Sequence, residues 1–239
     1  GDIMPLPEIV TPEFQTTLPS TGEQIFFRPF LVKEEKMLLM AQEGKDKSEI
    51  TNAVIKILDA CIKTPLEIRD LPIFDVEWLF LQLRSKSVNE VIDLNLRHTV
   101  EGCGHLNKVQ LPIQNIEVKT NKDHSNILMI SDETGLGMTL KYPSLSLTEK
   151  IDVDSQNNSD IFKLITICIQ NIFDKENVYN DYTKEELDKF IGDLPQDFLQ
   201  KFMNFFRTMP RIGHKLEYKC EGCGKTVTHN LSGLMDFFL

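Results

Sequence analysis

Four residues in two distant stretches of the sequence have the types and spacing of a metal site. Cys220 and Cys223 form a Cys-x-x-Cys pair in KCEGCGK, and Cys103 lies in HTVEGCGH, shortly after His98. The letters EGCG surround both Cys103 and Cys223. Two thiolates at this spacing can face one tetrahedral ion, and the glycines permit a tight turn around the sulfurs. We therefore predict a closed, structural Zn²⁺ site with His98, Cys103, Cys220 and Cys223 as ligands.

The sequence leaves other assignments for these residues open. His105, His214 and His229 are rival fourth ligands. Cys103 could instead be an ordinary buried thiol beside a metal-free Cys-x-x-Cys turn. Redox chemistry at the pair fits less well, because a redox motif normally lies at a helix N-terminus after a strand.

The remaining two cysteines, Cys61 and Cys168, fall on apolar helical faces. Burial in the core is the ordinary role of a cysteine in that position. We expect neither of them to bind a metal.

The elements that position these residues alternate between helical and β-type patterns. Apolar residues recur at helical spacing on both sides of a central region of short alternating runs. This order predicts an α+β fold: a helical body with a small antiparallel β-insert that resembles a split zinc ribbon closed by the C-terminal hairpin. The expected segments are a tag remnant and extended N-terminal arm (1–20), a first helical region (21–87), a β-insert with the first half-knuckle (88–142), a second helical region (143–211), and a C-terminal Cys-x-x-Cys hairpin with an apolar tail (212–239).

Local signals add several expectations. Ser48 is predicted to cap the second helix, and Thr183 with Glu186 to form a capping box. The pattern from 160 to 179 predicts a helix, and His124 in NKDHSN is expected in a solvated loop.

Two apolar stretches near the C-terminus have two possible roles. The phenylalanines of FLQKFMNFFRTM favour a core helix, with a partner surface as the alternative. The tail at 234–239 must dock on its own domain or on a partner, because a free apolar end promotes aggregation.

The composition of the chain and the motifs that it lacks argue against several classes of function. Thirty-six acidic against 26 basic side chains give a formal charge of -10, which disfavours a nucleic-acid partner. The sequence contains no apolar run of membrane-spanning length and no signal-peptide pattern. It also lacks the common phosphate-binding, dinucleotide, zinc-protease and serine-hydrolase motifs, so we expect neither an enzyme nor a small-molecule substrate.

Three stretches resemble a known family: FFRPFLVKEEKMLLMA, FDVEWLFLQLRSKSVNEVIDLNL, and the terminal Cys-x-x-Cys-Gly followed by LSGLMDFF. They are similar to the baseplate hub proteins of T4-like bacteriophages, over a length from about Thr17 to the C-terminus. The family pattern has two cysteines at the first knuckle. Here only Cys103 is present, so a metal site requires His98 as the substitute.

The resemblance implies a viral protein of tail baseplate morphogenesis whose partners are other baseplate hub proteins. It would act without catalysis, as an assembly chaperone or a minor structural component of the hub. Its location would be the cytoplasm of the infected host cell during assembly, or the virion baseplate.

Two functions of other classes are alternatives. One is a zinc-ribbon adaptor or regulator that binds nucleic acid or the transcription machinery, for which Lys219 and Lys225 supply little basic charge. The other is a thiol oxidoreductase.

For Arg28 and Lys33 we expect buried ion pairs with acids such as Glu77, or alternatively a charged patch facing a partner.

Overall fold

The chain forms two compact units of mixed α+β structure with small antiparallel sheets. The computed structural model describes residues 9–44, 46–88, 90–100, 102–148, 158–233 and 236–237. The first unit comprises Gly1–Ile68, Asp75–Glu117 and Ile212–Leu239, and the second comprises Arg69–Phe74 and Val118–Arg211. The segment expected to be one β-insert therefore contributes strands to both units. None of the described helices is long and apolar enough to cross a membrane.

The helices and strands follow one another in an irregular order along the chain. The helices are α1 (Val32–Gly44), α2 (Lys47–Cys61), α3 (Ile73–Ser87), α4 (Leu145–Thr148), α5 (Asn158–Cys168), α6 (Lys184–Gly192) and α7 (Phe198–Thr208). The strands are β1 (Phe14–Thr17), β2 (Gln24–Phe27), β3 (Val91–Arg97), β4 (Leu106–Pro112), β5 (Glu117–Lys119), β6 (Ile127–Ser131), β7 (Leu136–Leu140), β8 (Ile169–Phe173), β9 (Val178–Tyr179), β10 (Arg211–Lys219) and β11 (Thr226–Ser232).

The first unit opens with a hairpin of β1 and β2. The strands pair antiparallel with Phe14 opposite Phe27, and the two rings lie 6.0 Å apart between centroids. Residues 14–17 of the expected arm thus form a paired strand. The two strands are joined by a tight turn, in which the amide of Gly22 donates to the carbonyl of Leu18.

The helix α2 contributes a broad apolar face to the first unit. Its cap is Asp46 rather than Ser48, which corrects the sequence prediction: Asp46 Oδ1 accepts from the Ser48 amide at 2.8 Å. The carboxylate one position before the helix is a better acceptor for the free amides of the first turn than a hydroxyl inside it. Cys61 is fully buried at the helix end, as expected, and burial raises the pKa of its thiol to about 11.

The charged residues around the start of α1 pair with one another. Arg28 Nη2 lies 3.0 Å from Glu34 Oε1, and the amide of Leu31 donates to Glu34 Oε2 at 2.8 Å. Glu34 is only 2% exposed, and Lys33 Nζ is 3.7 Å from the same carboxylate. The partner of Arg28 is therefore Glu34 and not the predicted Glu77. Glu34 lies in the first turn of α1, only six positions after Arg28, so its carboxylate is close to the guanidinium.

Two of the family-like stretches meet inside the first unit. The amide of Phe30 in FFRPFLV donates to Ser87 Oγ in RSKSV at 2.9 Å. Since Phe30 is buried as well, these residues serve the fold itself.

Two longer hairpins complete the part of the first unit that matters for the site. In the first, β3 and β4 pair antiparallel from Val91 with Pro112 to Arg97 with Leu106. In the second, β10 and β11 pair antiparallel up to Lys219 with Thr226. Each hairpin ends in a turn that carries part of the EGCG repeat.

The second unit contains an antiparallel sheet in the order β6-β7-β8-β9. The helix predicted over 160–179 is wrong in its second half, because α5 ends at Cys168 and β8 begins at the next residue. Ile169 and Ile172 pair with Leu140 and Met138 of β7, and β-branched side chains suit that half-buried sheet surface. Cys168 is buried, and burial raises the pKa of its thiol to about 12.

Helices α6 and α7 follow the sequence predictions. Thr183 Oγ1 accepts from the Glu186 amide at 3.2 Å while Glu186 Oε2 accepts from the Thr183 amide at 2.8 Å, which confirms the capping box. Phe198, Phe202 and Phe205 of α7 are buried in the core of the second unit. That face of the helix is therefore core, as expected.

His124 lies in a loop, as predicted, but it is half-buried among polar and aromatic partners rather than solvated, so that part of the prediction is wrong. Its Nδ1 lies 2.9 Å from Thr208 Oγ1 and its Nε2 lies 3.0 Å from the hydroxyl of Tyr142. The ring stacks on Tyr142 and tilts against Phe205 at 5.3 Å. Burial lowers the pKa of His124 below its usual value.

The apolar tail is described at Asp236 and Phe237, and positions 234, 235, 238 and 239 lie outside the described residues. Phe237 is 1% exposed, and Asp236 Oδ2 accepts from the Ser232 amide at 2.8 Å. For Phe237, docking on its own chain is the arrangement present.

Candidate metal centre

The turns of the two long hairpins have the same hydrogen-bond pattern. In the first turn, the amide of His98 donates to His105 O at 2.9 Å, and the amide of Gly104 donates to His98 O at 3.0 Å. In the second, the amide of Cys220 donates to Lys225 O at 2.9 Å, and the amide of Gly224 donates to Cys220 O at 2.8 Å. His98 therefore occupies the place in the first turn that Cys220 occupies in the second.

A glycine in the left-handed region closes each turn directly after a cysteine. The backbone φ is 64° at Gly104 and 73° at Gly224. A residue with a side chain is disfavoured in this conformation, which explains why Cys-Gly recurs at both sites. The repeat noticed in the sequence is thus a repeat of backbone geometry.

The two turns bring four potential ligand atoms together. Cys103 Sγ is 3.6 Å from Cys220 Sγ, and Cys223 Sγ is 3.4 Å from His98 Nδ1. The ligand atoms of all four residues lie within 4.8 Å of one another. Around a tetrahedral zinc with Zn–S of about 2.3 Å and Zn–N of about 2.0–2.1 Å, sulfur atoms would be about 3.8 Å apart and nitrogen and sulfur about 3.6 Å apart. The two contact distances are close to those of ligands around one ion.

The four residues of the cluster differ in burial. Cys220 has 0% exposure and His98 has 6%, whereas Cys103 is half-buried and Cys223 is exposed. The cluster is therefore buried at His98 and Cys220 and faces solvent at Cys223.

The electrostatics of the cluster favour a thiolate at Cys220. Burial raises the pKa of this thiol, but the amides of Cys223 and Gly222 donate to its sulfur, and contacts with Cys103 and His98 add to them. The net effect lowers the pKa of Cys220 to about 6. For Cys103, hydrogen bonding to the His105 backbone lowers the pKa, but burial and the neighbouring thiols outweigh it and raise the pKa. Further thiolates next to the first require a cation, because like charges at this distance repel.

Asn107 joins the two hairpins beside the cluster, and sequence reasoning missed it. Its Nδ2 donates to Leu96 O at 3.3 Å and to His105 O at 3.2 Å, while its Oδ1 accepts from the Glu221 amide at 2.9 Å. The side chain is only 2% exposed. The signal available in the sequence was a polar residue on the inward face of β4, the face that also carries Leu111.

The rival histidines have other contacts. His105 packs on Gly222 of the opposite turn, His214 Nδ1 is 2.9 Å from Asn115 O, and His229 pairs in β11 opposite Leu216. Among the residues that the structure describes, the cluster contains His98 and no other histidine. The arrangement can thus offer three sulfurs and one imidazole nitrogen to one ion. Four protein donors saturate a tetrahedral ion, as in structural rather than catalytic sites.

Comparison with known proteins shows a match between this chain and one family. A family model described as T4 bacteriophage base plate protein matches residues 11–239. No similar curated protein and no similar solved structure was found. The matched range covers both units and all four residues of the cluster.

Proposed function

The chain belongs to the T4 bacteriophage base plate protein family, and we propose that it acts, without catalysis, in the central hub of the tail baseplate. Its partners in this proposal are other baseplate hub proteins. The observation that carries the proposal is the family match over residues 11–239, which includes both units rather than one.

The cluster supports a structural role, in which it holds a binding surface in a fixed shape. The thiols of Cys103 and Cys220 are 117 positions apart in sequence and 3.6 Å apart in space. An ion bound between the two turns would fix the C-terminal hairpin on the β3–β4 hairpin and so fix the surface that both present. A protein that works through contacts gains from such a preorganised surface, because less ordering is needed when the partner binds.

For the ion itself we propose structural Zn²⁺ in a split zinc ribbon, held by His98, Cys103, Cys220 and Cys223. Thiolate and imidazole donors favour zinc over magnesium or calcium, which prefer oxygen. The ion would supply cross-linking and charge neutralisation. Asn107 would hold the two turns in register around it, and the amides of Gly222 and Cys223 would stabilise the thiolate of Cys220.

The hub role has two forms that differ in where the chain ends up. As an assembly chaperone it would cover a surface of another hub protein and leave before the particle is complete. As a minor structural component it would remain in the finished baseplate.

The test uses phage whose own copy of the gene is inactivated, complemented by an affinity-tagged chain in the infected host. We expect other baseplate proteins to co-purify with the tagged chain and uncomplemented infections to lack complete tails. Quantification of the chain in purified particles separates the structural component, which is present, from the chaperone, which is absent. Normal tails without the chain, or recovery of nucleic acid or polymerase instead of baseplate proteins, would contradict the proposal and favour the adaptor role.

A further inference from the structure

The face of α7 that points away from the core of the second unit forms a groove with its own chemistry. Its volume is about 410 Å³, and it lies entirely within the second unit. The residues that line it are Gln200, Met203, Asn204, Phe206, Arg207 and Arg211. The core residues Phe198, Phe202 and Phe205 occupy the other face, and Phe206 lies at the border between the two faces, packed against the core as well.

Two arginines in the groove are held in place without a carboxylate. Arg207 Nη2 donates to Asn204 Oδ1 at 2.8 Å, and Arg211 Nη2 donates to the carbonyls of Phe206 and Arg207 at 2.9 and 3.0 Å. Within the described part of the chain, neither guanidinium forms an ion pair with an acid. Each has five N–H donors, so most of its hydrogen-bonding capacity is free. Arg211 also caps the last carbonyls of α7, which fixes its position.

The same groove also has an apolar part. Met203 is 42% exposed, and Phe206 is half-buried in the groove lining. Arginine, methionine and aromatic residues are the types enriched where proteins bind partners. In a chain with a formal charge of -10, two arginines without an acidic partner among the described residues are a local reversal of the overall charge.

We propose that this groove binds an acidic segment of a protein partner. Carboxylates of that segment would pair with Arg207 and Arg211, and an aliphatic or aromatic side chain would pack on Met203 and Phe206. Charge complementarity selects an anionic ligand, the apolar surface selects a peptide over a bare phosphate, and the acidic chain as a whole repels nucleic acid.

The choice of a protein as partner rests on the proposed baseplate role. The binding assay, however, uses the isolated full chain. A failure of the groove proposal would therefore leave the co-purification result unchanged, and a failure of the baseplate role would leave the groove measurement valid.

The probe is a fluorescein-labelled 15-residue peptide with leucine and phenylalanine at helical spacing and glutamate at most other positions. The controls are the same peptide with glutamine for glutamate, one with lysine for glutamate, and a labelled single-stranded DNA of similar length. Fluorescence anisotropy with the metal-loaded full chain gives the Kd of each. The variants are Arg207→Glu, Met203→Ser, and their matched controls Lys122→Glu and Val178→Ser, which change exposed residues of the same unit that do not line the groove.

We expect the acidic peptide to bind at least about tenfold more tightly than the glutamine peptide, since charge-assisted hydrogen bonds contribute most of the difference. Arg207→Glu should weaken binding about tenfold or more and Met203→Ser about threefold, with both control variants within about twofold of wild type. Circular dichroism confirms that each variant is folded. Equal binding of all peptides, no effect of Arg207→Glu in a folded protein, or tighter binding of the DNA would overturn the proposal.

Discussion

Asn107 offers the sharpest test of how the two hairpins are joined. Replacement by alanine removes a carboxamide that is 2% exposed and that links β3, β4 and the second turn through three hydrogen bonds. The Glu221 amide loses its acceptor on the opposite hairpin, and the carbonyls of Leu96 and His105 each lose a donor.

The magnitude follows from the number of groups left without partners. A buried donor or acceptor without a partner costs about 1–3 kcal/mol, and the amide is harder to satisfy than a carbonyl with a second lone pair. With one amide and part of two carbonyls affected, we expect a loss of about 2–4 kcal/mol in the free energy of unfolding. For a chain of this size that loss lowers Tm by about 4–16 °C.

The assay is scanning calorimetry of metal-loaded Asn107→Ala beside Asn95→Ala, an exposed position on the same hairpin. The Asn95 variant should stay within about 0.5 kcal/mol of wild type. Asn107→Ala should also weaken zinc binding about 10- to 100-fold, because groups around the ligands orient them. Equal Tm values for the two variants would refute the role assigned to Asn107.

Three further predictions concern the metal, a glycine and a histidine. After the metal is removed with a chelator, buffered free zinc at about 1,000 times its Kd should stabilise the protein by about 4 kcal/mol and so raise its Tm. This rise in Tm should be absent in His98→Asn and present in His229→Asn. Gly222→Ala places a Cβ 2.6 Å from His105 Cβ and should cost about 1–3 kcal/mol in urea unfolding, whereas Gly192→Ala, with no atom within 4 Å, should be neutral. Because burial lowers the pKa of His124, its neutral form is favoured in the folded state, so its contribution is complete above about pH 6.5 and is lost as pH falls towards the folded-state pKa. Urea unfolding at pH 7.5 and 5.5 should then show a smaller loss of stability for His124→Gln than for wild type; an equal loss would count against this assignment.

The sequence was informative where a local pattern and the tertiary structure require the same residues. The Cys-Gly turns are an example, since Gly104 and Gly224 are needed for the backbone and the preceding cysteines for the cluster. The capping box of Thr183 and Glu186 is another, because all its hydrogen bonds lie within one turn.

The sequence was uninformative where distant contacts decide the outcome. The apolar run around Cys168 has helical spacing, yet pairing with β7 turns Ile169 onward into a strand. His124 looks like a polar loop residue until Thr208, from the end of α7, and Tyr142 are brought to it. Asn107 shows the same limit, since its acceptor role depends on Glu221 in another hairpin.

X-ray absorption at the zinc edge, on protein purified without chelator, tests the central claim that the two hairpin turns close around one ion. The account predicts about one zinc per chain with three sulfur neighbours at about 2.3 Å and one nitrogen at about 2.0–2.1 Å. His98→Cys should convert the spectrum to four sulfurs, because residue 98 takes the place in the first turn that Cys220 takes in the second. A folded protein without metal, or a zinc surrounded mainly by oxygen, would contradict the claim.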